Sequence, residues 1–127
     1  MSIDEKLPIS NWPTTSGRYK VVQLELDGEQ YLRFGEYEQE PHSVILMAFL
    51  EGLKIPHRDI RLRSGCDGPA LSGERYKVFG MGKSDVEVSQ KRATFFDKSF
   101  DYNLGIDATQ LGRIRPLVPD WTMVHKT

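Results

Sequence analysis

His42 sits at the seam between a strand-like run and a solidly apolar one, in the stretch RFGEYEQEPHSVILMAFLEGL. A helix beginning there leaves backbone N–H groups without intrahelical acceptors, and such groups favour anions, phosphate among them. Residues Glu40 to Ser43 are therefore the best candidate site for anion chemistry, with the imidazole of His42 beside those free N–H groups. A lone histidine at a helix start is more often a hydrogen-bonded structural residue than a catalyst; its company raises the odds. Lys20 opens the first strand. A hairpin with a three-residue loop, Asp27 to Glu29, would set Leu24 opposite Leu32 and Val22 opposite Phe34. That places Lys20 on the face and at the end where Glu36 lies, close to His42. There the lysine either holds a phosphate oxygen as a point charge or makes a cross-strand ion pair with Glu36, worth at most ~1 kcal/mol if exposed.

Other motifs carry less. Gly82, Lys83 and Ser84 spell the end of the nucleotide-binding GxxxxGKS loop, but the position of its first glycine is Lys77, inside a strand, so a glycine-bearing turn is the better reading. Neither GxSxG nor HExxH occurs, which leaves α/β-hydrolase and zinc-protease chemistry without support. Glu36, Glu38 and Glu40 alternate as on a solvated edge strand. Cys66, between Gly65 and Asp67, is a reactive thiol if something lowers its pKa, but a small residue buried in a turn is the commoner case.

Composition bounds the rest. A chain of 127 residues with 39% apolar and 28% charged content fits one globular domain. A formal charge of −1 supplies no broad basic field for nucleic acid. The single cysteine allows no internal disulfide, and the three histidines lie too far apart for a zinc signature. With no leader-like start and no run of ~20 apolar residues, the expectation is a cytoplasmic protein that does not engage membranes.

The elements that must position these residues follow in order. Residues 1 to 17 form an irregular lead-in from which Ile9 and Trp12 can dock, and a single domain spans 18 to 127. YKVVQLEL and QYLRFGEY make the hairpin. Val44 to Leu50, apolar on every side, continues to Leu53 as the core helix. Asp59 to Arg63 and RYKVFG read as neighbouring strands in one sheet. Residues 84 to 103 fit strand or helix and stay open. Asp107 caps a second helix, Ala108 to Val118, with Gln110 three residues on, and WTMV closes the chain as a strand. The fold class is α+β: a mixed, mostly antiparallel sheet of about six strands with two main helices packed on it.

Taken together, SGRYKVVQLEL, FGEY followed by a histidine and helix, SGCDGPALSGERYKVFG and ATQLGRIRPLVPDWTMV resemble the janus/ocnus family, whose best-known activity is protein phosphohistidine phosphatase. The matching stretches cover most of residues 16 to 124, and their order and spacing carry the likeness. The resemblance implies that His42 activates water or receives the phosphoryl group, that Lys20 and Arg75 bind phosphate, and that Gly82, Lys83 and Ser84 lie in a loop lining the pocket with the Ser43 N–H. It implies a phosphorylated protein or small phosphoramidate as substrate, no metal or other cofactor, and a monomer or weak homo-oligomer. This chain differs in placing Glu38 to Pro41 between the tyrosine and the histidine, and in residues 85 to 103, which look inserted. The alternative on the same fold is a noncatalytic module that binds an anion, peptide or protein; a further one is a homo-oligomeric module using ATFFDKSF.

Overall fold

The computed structural model describes residues 7–126. Strands β1 (Gly17–Leu26) and β2 (Glu29–Glu36) form the expected hairpin. Asp27 and Gly28 close it as a two-residue turn, with φ of 50° and 86°. Left-handed residues at both turn positions match the twist of the flanking strands. The three-residue loop expected from the sequence is one residue too long: Leu24 faces Tyr31 and Val22 faces Arg33. A one-residue slip exchanges the two faces of a strand. Lys20 consequently stands beside Gly35 while Glu36 stands beside Tyr19, which separates the lysine from Glu36.

The main sheet runs β2-β1-β5-β6-β9, adding β5 (Tyr76–Glu87), β6 (Arg92–Phe96) and β9 (Thr122–His125). Its pairings are antiparallel except β6 with β9, so the fold is α+β with a mixed, mostly antiparallel sheet. β1 is covered on both faces. Val22, Leu24 and Leu26 pack under α1 (His42–Gly52) with Leu46 and Leu50. Val21 packs on the other side with Leu111 and Ile114 of α2 (Ala108–Ile114). The helix α1 is not apolar in function all round, because Val44 is 46% exposed while Ile45, Leu46, Phe49 and Leu50 are buried.

The sheet has fewer strands than expected because the short ones pair elsewhere. β3 (Asp59–Arg61) pairs with β4 (Asp67–Pro69), and β7 (Lys98–Ser99) with β8 (Leu104–Gly105), each as a separate ribbon. β3 is therefore not a neighbour of β5. Cys66 is exposed in the β3–β4 turn rather than buried. The open segment resolves into the end of β5, a single 3-10 turn, β6 and the β7–β8 ribbon. Its aromatic run offers no continuous patch: Phe95 is fully buried and Phe96 lies under Arg18, which leaves Phe100 exposed.

The lead-in docks along the outer edge of β2, where Ile9 O accepts from Leu32 N at 2.8 Å and Asn11 exchanges hydrogen bonds with the Phe34 backbone. Trp12 stacks on Trp121 at 4.0 Å. An edge strand left bare would invite pairing with another chain, and this segment covers it. Residues 1–6 and 127 lie outside the described residues. Among the described residues, no helix is long and apolar enough to cross a membrane.

Asp107 caps α2, its carboxylate accepting from Gln110 N at 2.8 Å. The Gln110 side chain does not close a capping box. It enters the core and donates to the carbonyls of Leu24 and Tyr31, while fully buried Gln23 receives Asp107 N–H at 2.7 Å and donates to Gln110 Oε1 at 2.9 Å. Pro116 ends the regular helix, and the chain continues as a 3-10 turn, Arg115–Leu117.

Candidate functional site

Antiparallel pairing of β1 with β5 sets Lys20 directly opposite Lys83. Like charges so placed repel, and only one is neutralised. Lys83 Nζ donates to Asp97 Oδ2 at 2.7 Å, whereas Lys20 is in no ion pair among the described residues. The start of α1 lies over this lysine pair. Pro41 precedes the helix and has no side-chain group with which to cap it. Pro41 O accepts from Val44 and Ile45, so the N–H groups of His42 and Ser43 are the unpaired ones of the first turn.

His42 is buried, and its Nε2 lies 2.8 Å from Gly82 O. A carbonyl only accepts, so Nε2–H is the donor and the neutral ring carries its lone pair on Nδ1. Among the described residues Nδ1 has no hydrogen-bond partner. Burial pushes the His42 pKa below its ordinary value of 6.5, and Lys20 and Lys83 push the same way, against the Gly82 bond and the charge of Asp101. The ring is therefore neutral at pH 7.

This shift has a stability consequence. The unfolded chain takes up a proton at this histidine near pH 6.5 while the folded chain resists it. Stability is thus lost as pH falls below that value, because the unfolded state binds more protons. Urea titrations at pH 7.5 and pH 5 should show a smaller acid loss in His42→Gln than in the wild type; an equal loss would contradict the assignment.

The site is a cavity of about 340 Å³ lined by Lys20, Pro41, His42, Lys83, Lys98, Ser99, Phe100 and Asp101. The last four come from β7 and the turn after it. That wall is anchored: the Tyr102 ring enters the core and its hydroxyl donates to Pro69 O at 2.8 Å, while Ser64 N donates to Asp101 Oδ1 at 3.2 Å. Sequence reading missed Lys98 to Asp101, since the strands of this ribbon are too short to show periodicity; only the run of cation, hydroxyl, aromatic and carboxylate in KSFD hinted at it.

The expected site residues divide sharply. Lys20, His42 and Lys83 converge. Gly82 and Ser84 do not lie in a loop but inside β5, where side chains alternate. Gly82 contributes its carbonyl to His42, and Ser84 points to the other face, fully buried with its Oγ unpartnered. Ser43 packs toward Gly68, so its side chain is turned from the cavity. Arg75 is a correction: it adjoins Tyr76, which pairs with Leu26, so it lies about 20 Å along β1 from Lys20 at ~3.3 Å per residue. There its guanidinium grips the Asp27 carboxylate at the hairpin turn, at 3.1 and 2.7 Å.

Of the residues between Tyr37 and His42, Pro41 lines the cavity while Glu38, Gln39 and Glu40 lie outside its lining. Glu40 turns back so that its carboxylate accepts from Glu36 N at 2.7 Å, and Glu38 lines a separate surface depression with Arg18 and Tyr37. Asp101 is then the one carboxylate in the cavity wall. No family model matches this chain, and no curated protein matches it.

Proposed function

We propose that this protein is a phosphatase acting without a metal on phosphohistidine or a related phosphoramidate, with His42 as general base or phosphoryl acceptor. The observation that carries this reading is the neutral His42 ring, its Nδ1 without a hydrogen-bond partner among the described residues, in one cavity with Lys20, Lys83 and Lys98. The motif order resembling the janus/ocnus family supports it further. A phosphoramidate protonated on its leaving nitrogen needs positioning and charge stabilisation more than strong activation. In the general-base route, water attacks phosphorus while Nδ1 takes one of its protons. The P–N bond breaks with its electron pair going to nitrogen, so the protonated amine or imidazole leaves neutral. The lysines hold the phosphoryl oxygens, with Lys20 a stronger candidate than Lys83 because Lys20 is in no ion pair among the described residues while Lys83 is paired with Asp97.

Lys20→Ala should therefore lower kcat/KM for phosphoramidate by about 10- to 100-fold, the worth of a charge-assisted hydrogen bond. Lys83→Ala should cost less, because Lys83 already shares its charge with Asp97. A Lys20→Ala enzyme as active as the wild type would contradict the role. The near-complete burial of His42, 8% exposed, favours one second reading, a noncatalytic anion- or peptide-binding module. That reading requires phosphate-dependent shifts of the His42 resonances with no turnover in the wild type.

A further inference from the structure

Phe100 joins Lys20, Lys83 and Lys98 in the lining of one cavity. Phe100 is 63% exposed, the most exposed of the large apolar side chains among the described residues, and it lines the same cavity as His42 and the lysines. Single exposed apolar residues are ordinary on a protein surface; a ring standing in the wall of a lysine-rich pocket is a different arrangement. The Arg63 guanidinium lies 4.5 Å from the ring centroid, which covers one face and holds the ring in place. The backbone around it is fixed as well, since Arg63 N donates to Asp101 O at 3.3 Å and Tyr102 anchors the turn in the core. The ring is thus presented by a rigid support, which keeps the cost of ordering it on binding small.

We infer that Phe100 is a specificity residue that stacks on the group bearing the phosphoryl, so that the site prefers a phosphoryl group attached to a flat, unsaturated ring over one on an alkyl amine or ammonia. The inference rests on the cavity being the phosphate site proposed above. A ring bonded to phosphorus lies within a few ångströms of the anion, and Phe100 lines the same cavity as the lysines. Offset stacking of two rings then adds to the charge contacts without altering them. An imidazole and a phenyl ring share this chemistry, and turnover separates them.

Binding of phenylphosphonate and methylphosphonate to the wild type and to Phe100→Ala, followed by NMR, tests the inference without requiring catalysis. The wild type should bind phenylphosphonate about 10-fold more tightly than methylphosphonate, as expected for a stacking contact. Phe100→Ala should abolish that preference while leaving methylphosphonate affinity unchanged, and Phe100→Tyr should retain it. Loss of a structural role would weaken both ligands together. An unchanged preference in Phe100→Ala, or no phosphonate binding at all, overturns the inference. Turnover of phosphoimidazole, phenyl phosphate and phosphoramidate by the same proteins supplies the remaining arm. Hydrolysis with no ring preference sinks the role of Phe100 but not the phosphatase. Ring-selective binding with no hydrolysis of any of the three does the reverse. Selective loss of phosphoimidazole turnover in Phe100→Ala assigns the ring to imidazole.

Discussion

Replacing His42 with alanine is expected to lower phosphoramidate turnover by about 10²- to 10⁴-fold, the range typical of removing a general base. The loss should fall on kcat, because the lysines proposed to hold the phosphoryl oxygens remain in place. The substitution also deletes a buried ring and leaves Gly82 O without its donor, which costs about 1–3 kcal/mol of stability. Activity must therefore be compared under conditions where a denaturant titration shows the variant to be folded. The pH profile adds a readout that misfolding would not mimic. With the His42 pKa pushed down by burial and by Lys20 and Lys83, wild-type kcat/KM should stay flat through neutrality and decline only below pH 6.5. Lys20→Ala removes one of the charges that depress this pKa, so its acid limb should move toward higher pH. Full activity in folded His42→Ala would remove the histidine from the mechanism.

Gly80→Ala is expected to destabilise the fold by about 3 kcal/mol or more, the upper part of the range for overpacking together with a broken buried hydrogen-bond network. A Cβ at this position would overlap Gln23 Oε1 and come within 2.7 Å of Gly105 O and 2.8 Å of Asp107 N. The last two are backbone atoms and cannot swing aside. Gln23 cannot move without releasing Asp107 N–H and Gln110 Oε1, and Gln110 in turn ties α2 to the carbonyls of Leu24 and Tyr31. The glycine lies at the irregularity where β1 and β5 shift register between Gln23 and Leu24. That shift, further along β5, determines that Lys83 and not Ser84 faces His42. Gly80→Ala should accordingly lower the urea midpoint strongly; a midpoint within error of the wild type would refute the packing account. Gln23→Leu should cost less, as it removes the hydrogen bonds without the steric overlap.

Particular residues explain how much of this was legible in the sequence. Asp107 announced the cap of α2 because a carboxylate before an apolar-periodic run has one main use. Asp27-Gly28 announced the hairpin, but not its register: a three-residue loop and a two-residue left-handed turn begin with the same two residues, and choosing wrongly moved Lys20 to the face of Glu36. Gly82 reads as part of a turn, because local composition cannot show that it lies inside a long central strand and gives its carbonyl to His42. Arg75 was drawn to the site by motif order alone, and the distance along β1 separates them. The wall from Lys98 to Asp101 depends on a ribbon of two-residue strands held by Tyr102, a tertiary arrangement with no local signature. His42 and Lys20 were recoverable because a helix start and a strand end are local features.

The central claim is that the His42 cavity breaks a P–N bond using its own side chains. A ³¹P NMR time course of a phosphohistidine peptide with the wild-type protein, in the presence of EDTA and against a buffer control, tests it most directly. The account predicts release of inorganic phosphate well above the spontaneous rate, unaffected by the chelator and lost in folded His42→Ala. Release at the buffer rate by the folded wild type would contradict it.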